Sequence, residues 1–211
     1  MNGERDMMRE QKGILIPEQD KSKFWGVNYE IREYNKIKPH GFRALDIGAH
    51  VGIWTRRLAV DFCEVIAFEP MSKHIECHKK NCEGLENITL NEIALSNVNN
   101  TQIMTTKDNN SGMSTLMTPR WKLPQTTVIV ETRTLDSYNL PKVDFIKIDV
   151  EGWEEQVLEG GMKTILKYRP IMYIEIWKKN YTYISDILWR KMGYKIQQMS
   201  QVNYICLSVK H

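Results

Sequence analysis

Four places along the chain carry residues whose types and spacing can do chemistry. The first is Asp46-Ile47-Gly48-Ala49-His50-Val51-Gly52, set between an apolar run and a segment of helical character. Gly48 and Gly52 let the backbone turn sharply and approach a ligand closely. Asp46 is the informative member. A dinucleotide turn reads GxGxxG and seats a pyrophosphate on a helix N-terminus. A carboxylate two residues before the first glycine repels a pyrophosphate and suits a ligand that carries positive charge. S-adenosylmethionine (SAM), with an ammonium and a sulfonium, is such a ligand. The plain alternative is a tight turn with a capping aspartate. The second place is Glu69, which ends the next apolar run 23 residues after Asp46. An acid at about that spacing accepts hydrogen bonds from ribose hydroxyls.

The third place is Ile146-Lys147-Ile148-Asp149-Val150-Glu151-Gly152-Trp153-Glu154. Asp149 ends a strand, and Glu151 and Glu154 sit in the turn after it. Three carboxylates at one strand end disfavour one another unless they hold a metal, accept a proton or orient a hydroxyl substrate. Acids at a helix N-terminus also complement its dipole, which accounts for Glu154. Lys147 reads as lying off that face and balancing charge. The fourth is Glu175, a lone acid in the apolar strand Pro170–Ile176. It faces the same edge as Asp149, where partial desolvation makes a carboxylate a better base. His74, Cys77, His78 and Cys82 also recur at helical spacing and are zinc-type ligands. Their helix must pack on a sheet, however, and cysteine is an ordinary buried apolar residue; we read them as packing.

The elements that must position these residues alternate after residue 42. Strands are expected at 43–47, 64–68, 87–90, 93–95, 144–149 and 171–176. Helices are expected at 52–61, 71–82, from about 153, and at 181–192. A hairpin of 194–199 and 203–209 closes the chain. Such alternation argues for βαβ units, a mostly parallel sheet and ligands at the carboxyl ends of its strands. Asn28–Ile37 has helical spacing. Residues 1–40 read as an N-terminal extension with a helix packing on the core, and 41–211 as the main domain. Residues 107–125 read as a long loop, a candidate substrate lid that includes Ser114 and Trp121.

Composition narrows the field. Among 211 residues, 29 Lys and Arg face 26 Asp and Glu, a net charge of +3. That surplus is too small for a nucleic-acid groove or a polybasic membrane anchor. With 42% apolar and 26% charged residues, the chain has the balance of an ordinary globular domain. No run approaches ~18 consecutive apolar residues, so no membrane span is expected. Met1–Gln11 shows no apolar core of a signal peptide. Cys63, Cys77, Cys82 and Cys206 form no CxxC pair. We therefore expect a reducing, cytoplasmic location.

At these residues the sequence resembles the FkbM family of class I SAM-dependent methyltransferases. The resemblance rests on Asp46 to Gly52, Phe68-Glu69-Pro70, Ala94-Leu95-Ser96, Thr134-Leu135-Asp136, Lys147 to Gly160, and Pro170 to Glu175, in the family's order. It runs from about residue 28 to 176. His50 stands where the family usually has asparagine, and Ser96 where it often has glycine. The resemblance implies an α/β Rossmann-like three-layer sandwich, a seven-stranded, mostly parallel sheet with an antiparallel C-terminal strand. It implies SAM bound by Asp46, Gly48, Ala49, His50, Gly52, Glu69, Pro70 and Asp149, with Ala94 and Leu95 near the adenine. It also implies methylation of a hydroxyl on a small molecule or sugar. Asp149, Glu175 or Glu151 would then act on the acceptor as a base, or a divalent metal held by Asp149 and a neighbour would lower the hydroxyl pKa. Trp153, Tyr173 and Trp177 are candidate acceptor-pocket walls. Three rival readings differ in class: an RNA 2′-O-methyltransferase drawing on Lys178 and Lys179, a non-catalytic SAM-binding module, and an NAD-dependent oxidoreductase. The last would need a third glycine in the turn and no Asp46.

Overall fold

Strands that are apolar on both faces need helices on both sides, and the chain supplies them. The computed structural model describes residues 8–18, 20, 26–107, 110–117 and 125–209. Its first half runs β1 (Met8–Gln11), β2 (Ile14–Pro17), α1 (Gly26–Ile37), β3 (Gly41–Ile47), α2 (Ile53–Asp61), β4 (Phe62–Phe68), α3 (Ser72–Asn81), β5 (Ile88–Asn91) and β6 (Ala94–Leu95). Then follow β7 (Asn100–Lys107), β8 (Asn110–Thr115), β9 (Gln125–Arg133), β10 (Phe145–Ile148), α4 (Glu154–Gly160), α5 (Met162–Tyr168), β11 (Ile171–Glu175), α6 (Tyr181–Asp186), β12 (Tyr194–Gln198) and β13 (Asn203–Ser208). A π-helical turn, Ile187–Lys191, extends α6.

Seven strands form the central sheet in the order β12-β13-β11-β10-β3-β4-β5. β5, β4, β3, β10 and β11 pair in parallel, and β13 lies antiparallel to both of its neighbours. This is the Rossmann-like α/β sandwich expected from the sequence, with the C-terminal hairpin supplying the antiparallel strand. Period-two alternation sends Leu45, Ile47, Ile146, Ile148, Met172 and Ile174 to one face, where Val157, Leu158, Ile165 and Ile184 cover them. The other face presents Ala44, Phe145 and Tyr173 to Tyr34, Trp54 and Leu58. Trp54 anchors that layer, with ring centroids 5.0 Å from Tyr173 and 5.4 Å from Tyr34.

The same alternation fixes the site. Asp46 and Lys147 are register partners, as are Lys147 and Tyr173. Asp46, Lys147 and Glu175 share the Trp54 face at the carboxyl ends of their strands. Lys147 is thus on the face of Asp149, not off it: residues two apart on a strand point the same way.

A second sheet, in the order β6-β9-β7-β8, was not expected from the sequence. The segment read as a loop at 107–125 holds β8, and Ser114 Oγ donates to Thr106 Oγ1 at 3.0 Å across the β7–β8 pair. Trp121 lies outside the described residues. Near the start of the described residues, β1 and β2 pair antiparallel, and Ile14 and Ile16 pack with Val51, Ile53 and Cys77. No described helix is long and apolar enough to cross a membrane.

Candidate active site

Two turns at the carboxyl edge of the sheet hold the sequence-predicted residues. The first follows β3. Gly48 adopts φ +77° and Gly52 φ +89°, both in the left-handed region. The Gly48 and Ala49 N–H groups donate to the Phe68 carbonyl at 3.0 Å each, so β4 holds the turn. His50 sits between the glycines at φ +50°. Histidine, like asparagine, is among the side chains found there more often than most.

Asp46 lies beneath the turn, fully buried. Thr55 Oγ1 donates to its Oδ2 at 2.6 Å, and Lys147 Nζ stands 3.6 Å from Oδ1. His78 Nε2 is 3.0 Å from Thr55 Oγ1. Since the Thr55 proton goes to Asp46, His78 donates to Thr55. Burial pushes the Asp46 carboxyl up from its ordinary range, and Lys147 and Thr55 oppose that. Among the described residues, Asp46 Oδ1 has no hydrogen-bond partner. Lys147 also donates to the Gly48 carbonyl at 2.9 Å and stands 3.4 Å from Asp149 Oδ2. One ammonium therefore ties the first turn to the second.

Glu69 is clamped at the end of β4. Its Oε2 accepts the His50 N–H at 2.9 Å, and its Oε1 accepts the Met71 N–H at 3.0 Å. His74 Nδ1 donates to Oε1 at 2.9 Å. Burial alone would raise the Glu69 carboxyl; His74, His50 and the Met71 N–H outweigh it and hold it at about 2. Burial, reinforced by His74, pushes His50 down to about 3. Ala94 and Leu95 form β6, buried, with Ala94 packed near Met71. Pro70 is half-buried after Glu69.

The second turn follows β10. Asp149, Glu151 and Glu175 each present a carboxylate oxygen within 4.8 Å of the others. Glu151 adopts φ +53°, a strained conformation for a side chain of this kind. Its carbonyl accepts a hydrogen bond from Thr115 Oγ1 at 2.8 Å, so the unforeseen second sheet holds this turn. Burial, then Asp149, Glu175 and Glu154, push Glu151 well above the usual carboxylate range. A cavity of about 110 Å³ opens beside the cluster, lined by Trp54, Lys147, Asp149, Tyr173, Glu175 and Asn203. Asn203 was not anticipated. It is the register partner of Glu175 across β11 and β13, a relation visible only once the hairpin is paired.

Other sequence candidates have structural partners. Trp153 Nε1 donates to Ser96 Oγ at 3.2 Å, which gives the serine a structural partner. Asp136 accepts from Thr164 N–H and Oγ1 at 2.8 Å each and from Lys163 N–H at 3.0 Å, capping α5. Burial pushes the Cys77 thiol to about 11 and Cys82 to about 12, and Cys82 Sγ faces the Gly52 carbonyl. Trp177 carries Lys179 Nζ 5.5 Å over its ring.

Glu154 is fully buried, and its Oε1 accepts the Gly152 N–H at 2.8 Å. Burial raises it to about 7 from an ordinary 4.5. The folded chain then binds more protons than the unfolded chain between these values, so this contribution to stability falls as pH rises through the window. Glu154→Gln is expected to stabilise the fold by up to roughly 3 kcal/mol at pH 8 and by little at pH 4. Urea unfolding at the two pH values checks it; an equal difference at both would refute a buried, protonated Glu154.

A mostly parallel seven-stranded sheet of this order, with a glycine turn, an acid ending the next strand and carboxylates at the fourth, is a Rossmann-like α/β sheet with its candidate site at the carboxyl edge. The chain belongs to the FkbM family: the Methyltransferase FkbM domain matches residues 46–196. Among solved structures, an FkbM methyltransferase from Methylobacillus flagellatus is 14% identical, with TM-score 0.57 over 79% of this chain and 43% of that one. The chain thus spans under half the length of that protein. A precorrin-6y C5,15-methyltransferase from Geobacter metallireducens is 13% identical, with TM-score 0.53 over 90% and 92%. A putative methyltransferase from Streptococcus mutans, in complex with S-adenosylhomocysteine (SAH), is 10% identical, with TM-score 0.50 over 84% and 94%. No curated protein matches the chain.

Proposed function

We infer that this methyltransferase transfers the methyl group of SAM to a hydroxyl of a small molecule or sugar. The observation that carries the reading is the convergence of Asp149, Glu151 and Glu175 within 4.8 Å at the edge where the glycine turn lies. SAM supplies a methyl group already activated by a sulfonium, so the protein must chiefly align the acceptor and take its proton. The residues present fit the cofactor. Glu69 is held ionised for ribose hydroxyls, the turn keeps Gly48 and Gly52 without side chains, and Asp46 has a buried oxygen without a hydrogen bond among the described residues. Asp46 acts from beneath the turn through its charge. Ala94 and Leu95 bound the adenine side.

On the acceptor side, Asp149 or Glu175 takes the hydroxyl proton. Burial first, then the neighbouring carboxylates, favour the protonated form of Glu151. Trp54 and Tyr173 give the adjoining cavity an apolar wall, and Asn203 an amide. The three carboxylates also suit a divalent cation, which takes oxygen ligands and would lower the pKa of a bound hydroxyl. Dialysis against EDTA, followed by Mg²⁺ or Mn²⁺, separates the two routes: loss and recovery of methyl transfer supports the cation, unchanged turnover the carboxylate base. A protein, nucleic acid or membrane partner is not part of this reading.

Calorimetric titration with SAM, and with NAD as control, tests the cofactor. Micromolar SAM binding, no NAD binding, and loss of about tenfold or more in Asp46→Ala are expected. Absence of SAM binding in protein free of co-purified SAH would remove the basis of the reading.

A further inference from the structure

His74 belongs to the histidine and cysteine group that the sequence reads as packing. It is buried, on the first turn of α3, and its Nδ1 lies 2.9 Å from Glu69 Oε1. Its ring meets the His50 ring edge-on, with centroids 4.3 Å apart. Glu69 has three donors among the described residues: the His50 N–H, the Met71 N–H and His74. A carboxylate offers about four lone-pair directions, so about one is left for a ligand. The direction of that last lone pair is set by the other three. Two of the donors are backbone groups fixed by the turn and by the start of α3. His74 is the side chain among them, and its hydrogen bond with Glu69 joins residues that are both almost fully buried.

Resting on the SAM reading above, the geometry points to His74 as the positioning residue of the ribose-reading carboxylate. It holds Glu69 so that its free lone pair faces the ribose, and so tunes affinity for adenosine-bearing ligands. It touches no reacting atom. Its counterpart is a ligand with an intact ribose; a deoxyribose ligand gains nothing from the arrangement.

The test uses SAH and its 2′-deoxy analogue as probes, titrated calorimetrically into wild type, His74→Leu and His74→Asn. Wild type is expected to prefer SAH over the analogue by about tenfold, the worth of a hydrogen bond to a charged group. His74→Leu should bind SAH about tenfold more weakly and the analogue almost unchanged, so the preference collapses. His74→Asn, whose amide nitrogen overlaps the place of Nδ1, should restore it. Equal weakening of both probes in His74→Leu would mark a merely structural role and overturn the inference, as would an unchanged preference. Wild type that binds neither probe overturns the cofactor reading, and this inference with it. Should His74→Leu fail to fold, nitrogen-15 NMR of wild-type His74 decides: its Nδ1 proton must stay hydrogen-bonded when SAH is added, and its release refutes the assignment.

Discussion

Glu175→Gln is expected to lower kcat by about 10²- to 10⁴-fold, the usual worth of a positioned general base, while SAM affinity changes by less than about threefold. Glu175 stands on β11, away from the glycine turn, and lines the cavity beside Asp149 and Asn203. Asp149→Asn is expected to cost as much in kcat and to weaken SAM binding as well. Asp149 shares Lys147 with Asp46, and removing its charge alters the ammonium that Asp46 also faces. Carboxyl carbon-13 NMR gives a second readout. Glu151 is raised by burial first and then by Asp149 and Glu175. Removing the Glu175 charge should therefore let the Glu151 proton leave at lower pH. SAH formation, measured with an acceptor found by screening hydroxylated compounds, checks both variants. Retention of more than about a tenth of wild-type turnover by both would remove the acceptor-side role of the cluster.

The central sheet was legible because its strands obey simple rules. Ala44-Leu45-Asp46-Ile47 and Phe145-Ile146-Lys147-Ile148 are apolar runs broken by one charge each, and each stops at a glycine or acidic turn. The second sheet was not. β7 and β9 are rich in threonine and expose Ile103 and Ile129, which face each other across the pair. Their β-branched content, as in Thr-Thr-Val-Ile-Val-Glu-Thr, was the available signal. Spacing brought Asp149, Glu151 and Glu175 to one edge correctly. It could not show that Lys147 bridges Asp46 and Asp149, because the pairing of β3 with β10 sets that contact across about a hundred residues of chain. Nor could it show Thr115 holding the Glu151 carbonyl or Asn203 opposite Glu175. These contacts are made by register, and register is written in no local window.

Gly48→Ala is expected to be the most damaging substitution in either turn. A Cβ there would lie 1.9 Å from the Asp149 carbonyl oxygen, and the backbone holds φ +77°. The left-handed conformation alone costs an alanine roughly 1–2 kcal/mol. The overlap is with backbone, which cannot swing away as a side chain can. Asp149 N–H donates to the Ile47 carbonyl at 3.0 Å, so shifting residue 149 disturbs the last rung between β3 and β10. Strain and displacement together should reach about 4 kcal/mol, a large share of an ordinary domain's stability. Three other glycines separate the causes. Gly160→Ala brings Cβ to 1.9 Å from the Ser96 carbonyl without a positive φ, so it isolates the overlap. Gly84→Ala keeps φ +81° with open space around it, so it isolates the strain, about 1 kcal/mol. Gly152→Ala, at φ +102°, meets Met117 Sδ at 2.7 Å, the far end of a flexible side chain that can move aside. Urea unfolding should therefore rank Gly48 and Gly160 as severe, Gly152 as intermediate and Gly84 as mild. SAM titration should then split the severe pair. Gly48→Ala pushes apart the turn and Asp149 and should abolish binding even where the protein remains folded, whereas folded Gly160→Ala, disturbed at α4 and Ser96, should still bind. Gly48→Ala as stable as Gly84→Ala would mean that the turn does not lie against β10.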